Sequence, residues 1–142
     1  MAFTGNCLCD GIGFVIDGQL APIQICHCSQ CRKAQGSAFA ANMPVPAPSF
    51  RIVRGEDLLK SYESSPGKER LFCSRCGSPV ISRRRSAPGV VRIRAGLINE
   101  PLPVRPELHA HIESKANWWR IADELPQYAG SPANPDAHSS RS

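Results

Sequence analysis

Alternation of apolar and polar residues is the dominant pattern along the chain, and it predicts short β-strands. In 90–97, the apolar positions from Val91 to Leu97 alternate with Arg92 and Arg94. This period of two predicts a half-buried strand whose arginines face outward. A second apolar run, 80–84, is separated from the first by a turn at 86–89, so we expect the two runs to pair.

Other segments carry weaker forms of the same signal. Further strands are predicted at 2–4, 12–16, 23–25, 49–54, 58–64, 70–72 and 109–112. Residues 39–45 also alternate, and three closely spaced prolines follow, which predicts an edge strand that runs into a polyproline loop. Segment 29–35 contains no helix breaker and predicts one or two helical turns ending at Gly36. Segment 118–125 is expected to form a short helical turn at most.

The elements together predict a single domain of the mainly β class. The 142 residues suit one domain, and no internal repeat is present. We expect this domain to span 1–128. Residues 129–142 contain no large apolar side chain, which predicts a disordered C-terminal tail.

Membrane and secretory signals are not visible in the sequence. No apolar run approaches the roughly eighteen residues of a membrane span, and residues 1–20 lack the pattern of a secretory signal. We therefore expect no membrane association and a cytoplasmic location, where cysteine thiols stay reduced.

Positive charge is concentrated in one segment. The chain has a formal charge of +5, and residues 70–98 contain seven arginines with no aspartate or glutamate. Three interpretations compete: counter-charge for metal-bound thiolates, an anion-binding surface, or a nucleic-acid face. No aromatic residues are interleaved with the arginines as base stacking would require, so nucleic acid is not an expected partner.

Seven cysteines fall into three tight groups. The groups are Cys7-x-Cys9, Cys26-x-Cys28-x-x-Cys31 and Cys73-x-x-Cys76. Zinc prefers four tetrahedral ligands in structural sites, and an open catalytic site has three protein ligands. The seven thiols therefore divide naturally into a closed site made of the first and last groups and an open site made of the middle group.

Other interpretations of the cysteines stay open at this point. They are buried structural thiols, a set of disulfides, or one structural zinc beside a redox-active or incidental trio. The odd number of cysteines excludes complete internal pairing. His27 is a further candidate ligand, although adjacent residues on an extended segment point to opposite sides. His109 and His111, placed on one strand face, are candidate pocket residues.

The cysteine groups and their neighbours resemble one known family. Gly5–Cys9, Cys26–Gly36 and Arg70–Ser78 are similar to motifs of the glutathione-dependent formaldehyde-activating enzyme family, also called the CENP-V/GFA domain. Weaker similarity is found at Leu59–Ser65 and Gly96–Asn99, and the resemblance covers about residues 5–128. Asp10 departs from the family pattern, which usually has glycine there.

This resemblance implies a β-tent, in which small antiparallel sheets surround a structural zinc. It also implies two zinc ions per chain, with a structural site and a catalytic site. The implied structural ligands are Cys7, Cys9, Cys73 and Cys76, and the implied catalytic ligands are Cys26, Cys28 and Cys31.

The family's named reaction joins the thiol of glutathione to formaldehyde, so the resemblance implies a carbon–sulfur lyase. Its partner would be a small thiol or a thiol–aldehyde adduct. A zinc ion held by three thiolates suits capture of such a thiol. Candidate substrate contacts are Arg32, Lys33, Arg70 and His111. The alternative functions are a zinc-stapled binding module and a zinc–thiol redox sensor without lyase activity.

Overall fold

Ten β-strands and one α-helix form the regular structure of residues 2–132, the part of the chain that the computed structural model describes. The strands are β1 (Ala2–Asn6), β2 (Gly13–Asp17), β3 (Ile23–Cys26), β4 (Ala40–Pro46), β5 (Phe50–Arg54), β6 (Leu59–Ser65), β7 (Lys68–Cys73), β8 (Pro79–Arg84), β9 (Val90–Arg94) and β10 (Pro106–Ala110). Helix α1 (Ser29–Gln35) lies between β3 and β4, and short 3₁₀ turns span Ala47–Ser49, Glu56–Leu58, Ala95–Leu97 and Ile112–Ser114. The predicted mainly β class is confirmed.

The strands form two sheets. One has three strands in the order β1-β2-β5, and the other has seven in the order β10-β3-β4-β9-β8-β7-β6. The predicted pairing of β8 with β9 is confirmed, with Ile81 opposite Ile93. Neighbouring strands are antiparallel except β10 and β3, which run parallel. A parallel neighbour requires a long connection, and β10 is separated from β3 by most of the chain.

The core lies between the two sheets. Phe14 and Ile16 from β2 belong to the same buried apolar cluster as Val45, Ile81 and Ile93 from the seven-stranded sheet. In a β-strand alternate residues point to the same face, so each strand gives every second side chain to this core. The three-stranded sheet therefore covers one face of the larger sheet.

The opposite face of the larger sheet is also buried, which corrects the prediction for Arg92 and Arg94. These arginines are only 4% exposed each, although the alternation predicted that they face outward. Helix α1 lies over this second face, where Cys31 contacts Arg70 of β7. Alternation identifies which residues share a face, but it does not establish that the polar face meets water.

The predicted edge strand around Phe39–Val45 is wrong, because β4 is an interior strand. It pairs with β3 through residues 40–42 and with β9 through residues 42–46. Pro44 and Pro46 lie beyond the part that pairs with β3. A proline lacks the N–H that a second partner strand would need, so the prolines fit where the strand has one neighbour.

The C-terminal segment differs from its prediction in two places. Strand β10 ends at Ala110, and His111 has a left-handed φ of 57°, so His109 and His111 do not share a strand face. No helix is present over 118–125 within the described residues, which agrees with the expectation of a short turn at most. Ala129 and Gly130 accept backbone hydrogen bonds from Glu113 and His111. The rest of the predicted tail, from residue 133 onward, lies outside the described residues.

None of the helices found between residues 2 and 132 has the length and apolar character that a membrane span requires.

Candidate functional site

Two local turns bring Cys7, Cys9, Cys73 and Cys76 together at one end of the core. Their sulfur atoms all lie within 4.8 Å of one another. The first turn follows β1, where the backbone N–H of Ile12 donates to Cys7 Sγ over 3.2 Å. The second follows β7 and is closed by Gly77, whose φ of 82° is left-handed and whose N–H donates to the Cys73 carbonyl oxygen. The first and last cysteine groups thus meet as the spacing predicted.

The geometry of this group fits a tetrahedral metal ion. Cys7 Sγ lies 3.6 Å from Cys9 Sγ, and Cys9 Sγ lies 3.8 Å from Cys73 Sγ. Four thiolates at the usual Zn–S distance of about 2.3 Å are separated from each other by about 3.8 Å. All seven cysteines lie within the described residues, and none of them forms a disulfide. The donor set and spacing therefore suit zinc.

Cys26, Cys28 and Cys31 form a second group at the end of β3 and the start of α1. Their sulfur atoms also lie within 4.8 Å of one another. Cys28 is the N-cap of α1, and its sulfur accepts a hydrogen bond of 3.2 Å from the N–H of Cys31. The capping geometry therefore fixes two of the three sulfurs relative to each other. Three clustered thiols without a fourth protein sulfur could hold one metal ion with a free coordination position.

The side chain of Arg70 joins the three-cysteine group to a cavity. Its Nη2 lies 3.8 Å from Cys31 Sγ and 3.5 Å from Gln30 Oε1, and the residue is buried. The cavity has a volume of about 280 Å³ and is also lined by Gln35, Tyr62 and Arg94. A molecule in this cavity would therefore contact the same guanidinium group that lies beside the cysteine sulfurs.

The thiols of the two groups differ in acidity. The Cys76 thiol has its pKa lowered to about 5, chiefly by a hydrogen bond with Ser78, and the Arg75 guanidinium lowers the pKa of Cys9. In the three-cysteine group, hydrogen bonding with the neighbouring thiols of Cys28 and Cys31 raises the pKa of Cys26. Burial raises the pKa of Cys7, so the four-cysteine group combines readily ionised thiols with a less acidic one.

Three other candidate substrate residues lie away from the cavity. Arg32 donates through Nε to the carbonyl oxygen of Ser114. His111 immediately precedes the 3₁₀ turn Ile112–Ser114. Lys33 is exposed on α1. None of the three lines the cavity beside Arg70.

A chain of polar side chains lies on the other side of β3 from Cys26. His27 Nε2 is 2.9 Å from His109 Nδ1, and His109 Nε2 is 3.0 Å from a carboxylate oxygen of Asp123. His27 is completely buried, and burial lowers its pKa to about 4. The sequence pointed to His109 as a pocket residue, and this residue does line a second cavity together with Trp119 and Asp123. Its link to His27 had no signal in the sequence.

The arginine-rich segment does not form an exposed basic face. Arg70, Arg92 and Arg94 are buried, and the exposed Arg83 and Arg85 form ion pairs with Glu69 and Glu63. An electrostatic surface for nucleic acid needs accessible, uncompensated cations. The burial of these arginines instead indicates that they neutralise the negative charge of thiolates or of an enclosed anion.

Comparisons with known proteins agree with the cysteine geometry. Residues 2–114 match the model of the family described as "Glutathione-dependent formaldehyde-activating enzyme". A protein of Halomonas elongata that is named for this enzyme is 35% identical over 130 residues, covering 85% of this chain and 82% of its own. A Schizosaccharomyces pombe protein named as an uncharacterized lyase is 34% identical over 126 residues, covering 89% of this chain and 90% of its own.

A solved structure supports the fold independently. The crystal structure of a Rhodobacter sphaeroides protein superposes with a TM-score of 0.60 and 24% sequence identity. The match covers 72% of this chain and 98% of the other. At this level of identity the similarity concerns the fold alone.

Proposed function

Since the chain belongs to the glutathione-dependent formaldehyde-activating enzyme family, we propose that it is a zinc-dependent carbon–sulfur lyase acting on the adduct of a small thiol and an aldehyde. The observation that carries this proposal is the grouping of Cys26, Cys28 and Cys31 beside Arg70, which lines a cavity. Glutathione and formaldehyde are the first substrates to test, because the relatives are named for them.

The two cysteine groups have different roles in this proposal. Cys7, Cys9, Cys73 and Cys76 hold a structural zinc that links the first hairpin to the middle of the chain. Cys26, Cys28 and Cys31 are the ligands of a second, catalytic zinc. A zinc ion held by these three thiolates would leave one position for a substrate thiol and would favour its thiolate form.

The reaction needs few groups from the protein. Adduct formation joins the sulfur to the aldehyde carbon, and the carbonyl oxygen gains the proton that the thiol releases. Arg70 offsets negative charge at the cysteine sulfurs and holds the substrate beside them. The N–H of Cys31 supports Cys28 Sγ, so the capped start of α1 keeps the three ligands in place. Arg32, Lys33 and His111 remain candidate contacts for parts of the substrate outside the cavity.

Zinc content is the first measurement. Protein purified without added metal should contain about two zinc ions per chain, and Cys28→Ser should contain about one while its circular dichroism spectrum is unchanged. Cys73→Ser is the matched comparison, and it should lose the fold along with its zinc, because this cysteine is buried between the sheets. One zinc ion in both the wild type and Cys28→Ser would exclude a metal site at the three-cysteine group.

Catalysis is tested by nuclear magnetic resonance exchange between glutathione, formaldehyde and S-(hydroxymethyl)glutathione. The wild type should accelerate this exchange, and Cys28→Ser should remove the acceleration. Lys60→Ala, at an exposed position on β6, should leave it unchanged. If two zinc ions are bound but no thiol–aldehyde pair is accelerated, the lyase proposal is wrong and a zinc-stapled binding module is the better account.

A further inference from the structure

Four buried basic side chains lie on the sheet face that carries the three-cysteine group. Arg70, Ser82 and Arg92 are directly opposite one another across β7, β8 and β9, so they share a face. Lys68 and Arg94 lie two residues along the same strands and therefore also belong to this face. All four basic residues are at most 8% exposed. They form a cationic row inside the protein.

The cationic row has no acidic partner in the described part of the chain. None of the ion pairs between residues 2 and 132 involves these four side chains. Arg94 Nη1 donates to Asn42 Oδ1 over 2.6 Å, whereas Arg94 Nε and Arg92 Nη1 are buried without a hydrogen-bond partner. Burial lowers the pKa of Arg92 to about 9 and that of Lys68 to about 7. Buried charged donors without acceptors are costly, so the arrangement indicates a missing anion.

Metal-bound thiolates neutralise only part of the row. Three thiolates around one divalent ion carry a single net negative charge, which balances at most one of the three arginines in the row. Arg70 already lies beside Cys31 Sγ and accounts for that contact. Arg94 is also within electrostatic range of these sulfurs, but a single net negative charge cannot balance both guanidinium groups.

The cavity beside Arg70 and Arg94 is lined by these two basic residues and by no acidic residue. A carboxylate or another compact anion could accept hydrogen bonds from the side chains of Arg70 and Arg94. An ammonium group would meet only like charges and neutral side chains there.

We propose that Arg70 and Arg94 form an anion subsite in this cavity, and that the substrate thiol inserts a portion carrying a carboxylate-like anion and no ammonium group. This proposal rests on the lyase function proposed above. For glutathione, the glycine carboxylate would enter the cavity, and the glutamyl end with its ammonium group would stay outside. Simple mercapto acids would be accommodated at least as well.

Binding of small thiols to the zinc-loaded protein tests the subsite by calorimetry. We expect 3-mercaptopropionate to bind at least tenfold more tightly than neutral 2-mercaptoethanol, and cysteamine to bind most weakly. Arg94→Gln should remove the preference for 3-mercaptopropionate while 2-mercaptoethanol binds as before and zinc content is unchanged. Arg83→Gln, an exposed arginine on β8, should retain the preference. Equal affinities for the three thiols in the wild type would overturn the proposal.

One further variant and one further ligand distinguish a failure of the subsite from a failure of the lyase function. If Arg94→Gln does not fold, Arg94→Met is measured in its place, because methionine fills the same space without a charge. Propionate, which has the carboxylate but no sulfur, is measured alongside. Propionate binding that depends on Arg94, in a protein that binds no thiol, would support the subsite while contradicting the lyase. Thiol binding that does not depend on the charge of the thiol would support the lyase while contradicting the subsite.

Discussion

His27 Nε2 lies 2.9 Å from His109 Nδ1, and this hydrogen bond links the segment of the three-cysteine group to β10. His27 lies between Cys26 and Cys28, and His109 is held in turn by Asp123. The tautomer follows from the partner, since a carboxylate accepts the His109 Nε2 proton and leaves Nδ1 as the acceptor. The chain of three residues thereby fixes the orientation of the segment that carries the cysteines.

Replacing His109 should destabilise the protein through this bond. His109→Phe leaves the buried Nε2–H of His27 without an acceptor, and the expected loss is about 1–3 kcal/mol in the free energy of unfolding. Denaturant titration of the zinc-loaded protein measures it. Asp123→Asn keeps an acceptor for His109 at a half-exposed position, so its cost should stay below about 1 kcal/mol. Equal losses in the two variants would contradict the assigned order of donors.

Lys68 should make stability rise with pH in the alkaline range. Burial, followed by the charges of Arg70 and Arg84, lowers its pKa from 10.5 to about 7. Between these values the unfolded chain binds the proton and the folded chain does not, so the free energy of unfolding increases with pH. The contribution is up to about 1.4 kcal/mol per pH unit.

The difference between wild type and Lys68→Met, measured from pH 7 to 9 on zinc-loaded protein, isolates this contribution. Lys68→Met should have the flatter pH profile, and Lys60→Met on the neighbouring strand β6 should follow the wild type. A wild-type profile parallel to that of Lys68→Met would show that the folded and unfolded states protonate Lys68 alike.

The two cysteine groups, which could hold metal ions, were predictable because they are built from local turns. The spacing of Cys73 and Cys76 with Gly77 defines a turn that aims two sulfurs at one point, whatever the rest of the fold does. Helix α1 and its end at Gly36 were equally local, and Gly36 has the left-handed φ of 62° that such an end requires. The fold class followed from the strand pattern for the same reason.

The surroundings of the site were not predictable from such patterns. Arg92 and Arg94 alternate with apolar residues as they would in a strand with one face in water. Their face is covered by α1, which comes from a segment about sixty residues earlier in the chain. Long-range covering of this kind, like the parallel docking of β10 on β3, leaves no periodicity in the sequence.

Asp10 occupies a position that favours glycine, and Asp10→Gly should be neutral or stabilising. Its φ of 65° is left-handed, which costs a residue with a Cβ atom about 1 kcal/mol, although aspartate tolerates it better than most. Its carboxylate pairs with Arg54, but both side chains are largely exposed, so the pair contributes little. We expect a gain of up to about 1 kcal/mol in the free energy of unfolding.

Asp10→Asn separates the cost of the left-handed backbone from the contribution of the ion pair with Arg54. Asparagine tolerates the left-handed φ as aspartate does, but it carries no charge. A small loss in Asp10→Asn combined with no loss in Asp10→Gly is the expected pair of results in thermal and chemical unfolding. A loss above about 1 kcal/mol in Asp10→Gly would mean that the contact with Arg54 stabilises the protein by more than the left-handed φ of Asp10 costs.

Gly55 holds the first cysteine turn against β5, and Gly55→Ala should be far more damaging than Gly36→Ala. Both glycines have left-handed φ angles, 75° and 62°. A Cβ at Gly55 would overlap the carbonyl oxygen of Gly11, within the loop that follows Cys9, whereas a Cβ at Gly36 would meet nothing within 4 Å. The two variants thus share the conformational cost of about 1 kcal/mol and differ in the backbone overlap.

We expect Gly36→Ala to lose about 1 kcal/mol in the free energy of unfolding and Gly55→Ala to lose more than about 3 kcal/mol. Backbone atoms cannot rotate aside as a flexible side chain can, so the turn carrying Cys7 and Cys9 must shift in Gly55→Ala. Zinc should therefore leave the four-cysteine group faster in the presence of a chelator, while Gly36→Ala releases this zinc at the wild-type rate. Equal stabilities and equal release rates in the two variants would show that the Gly11–Gly55 contact does not hold this turn.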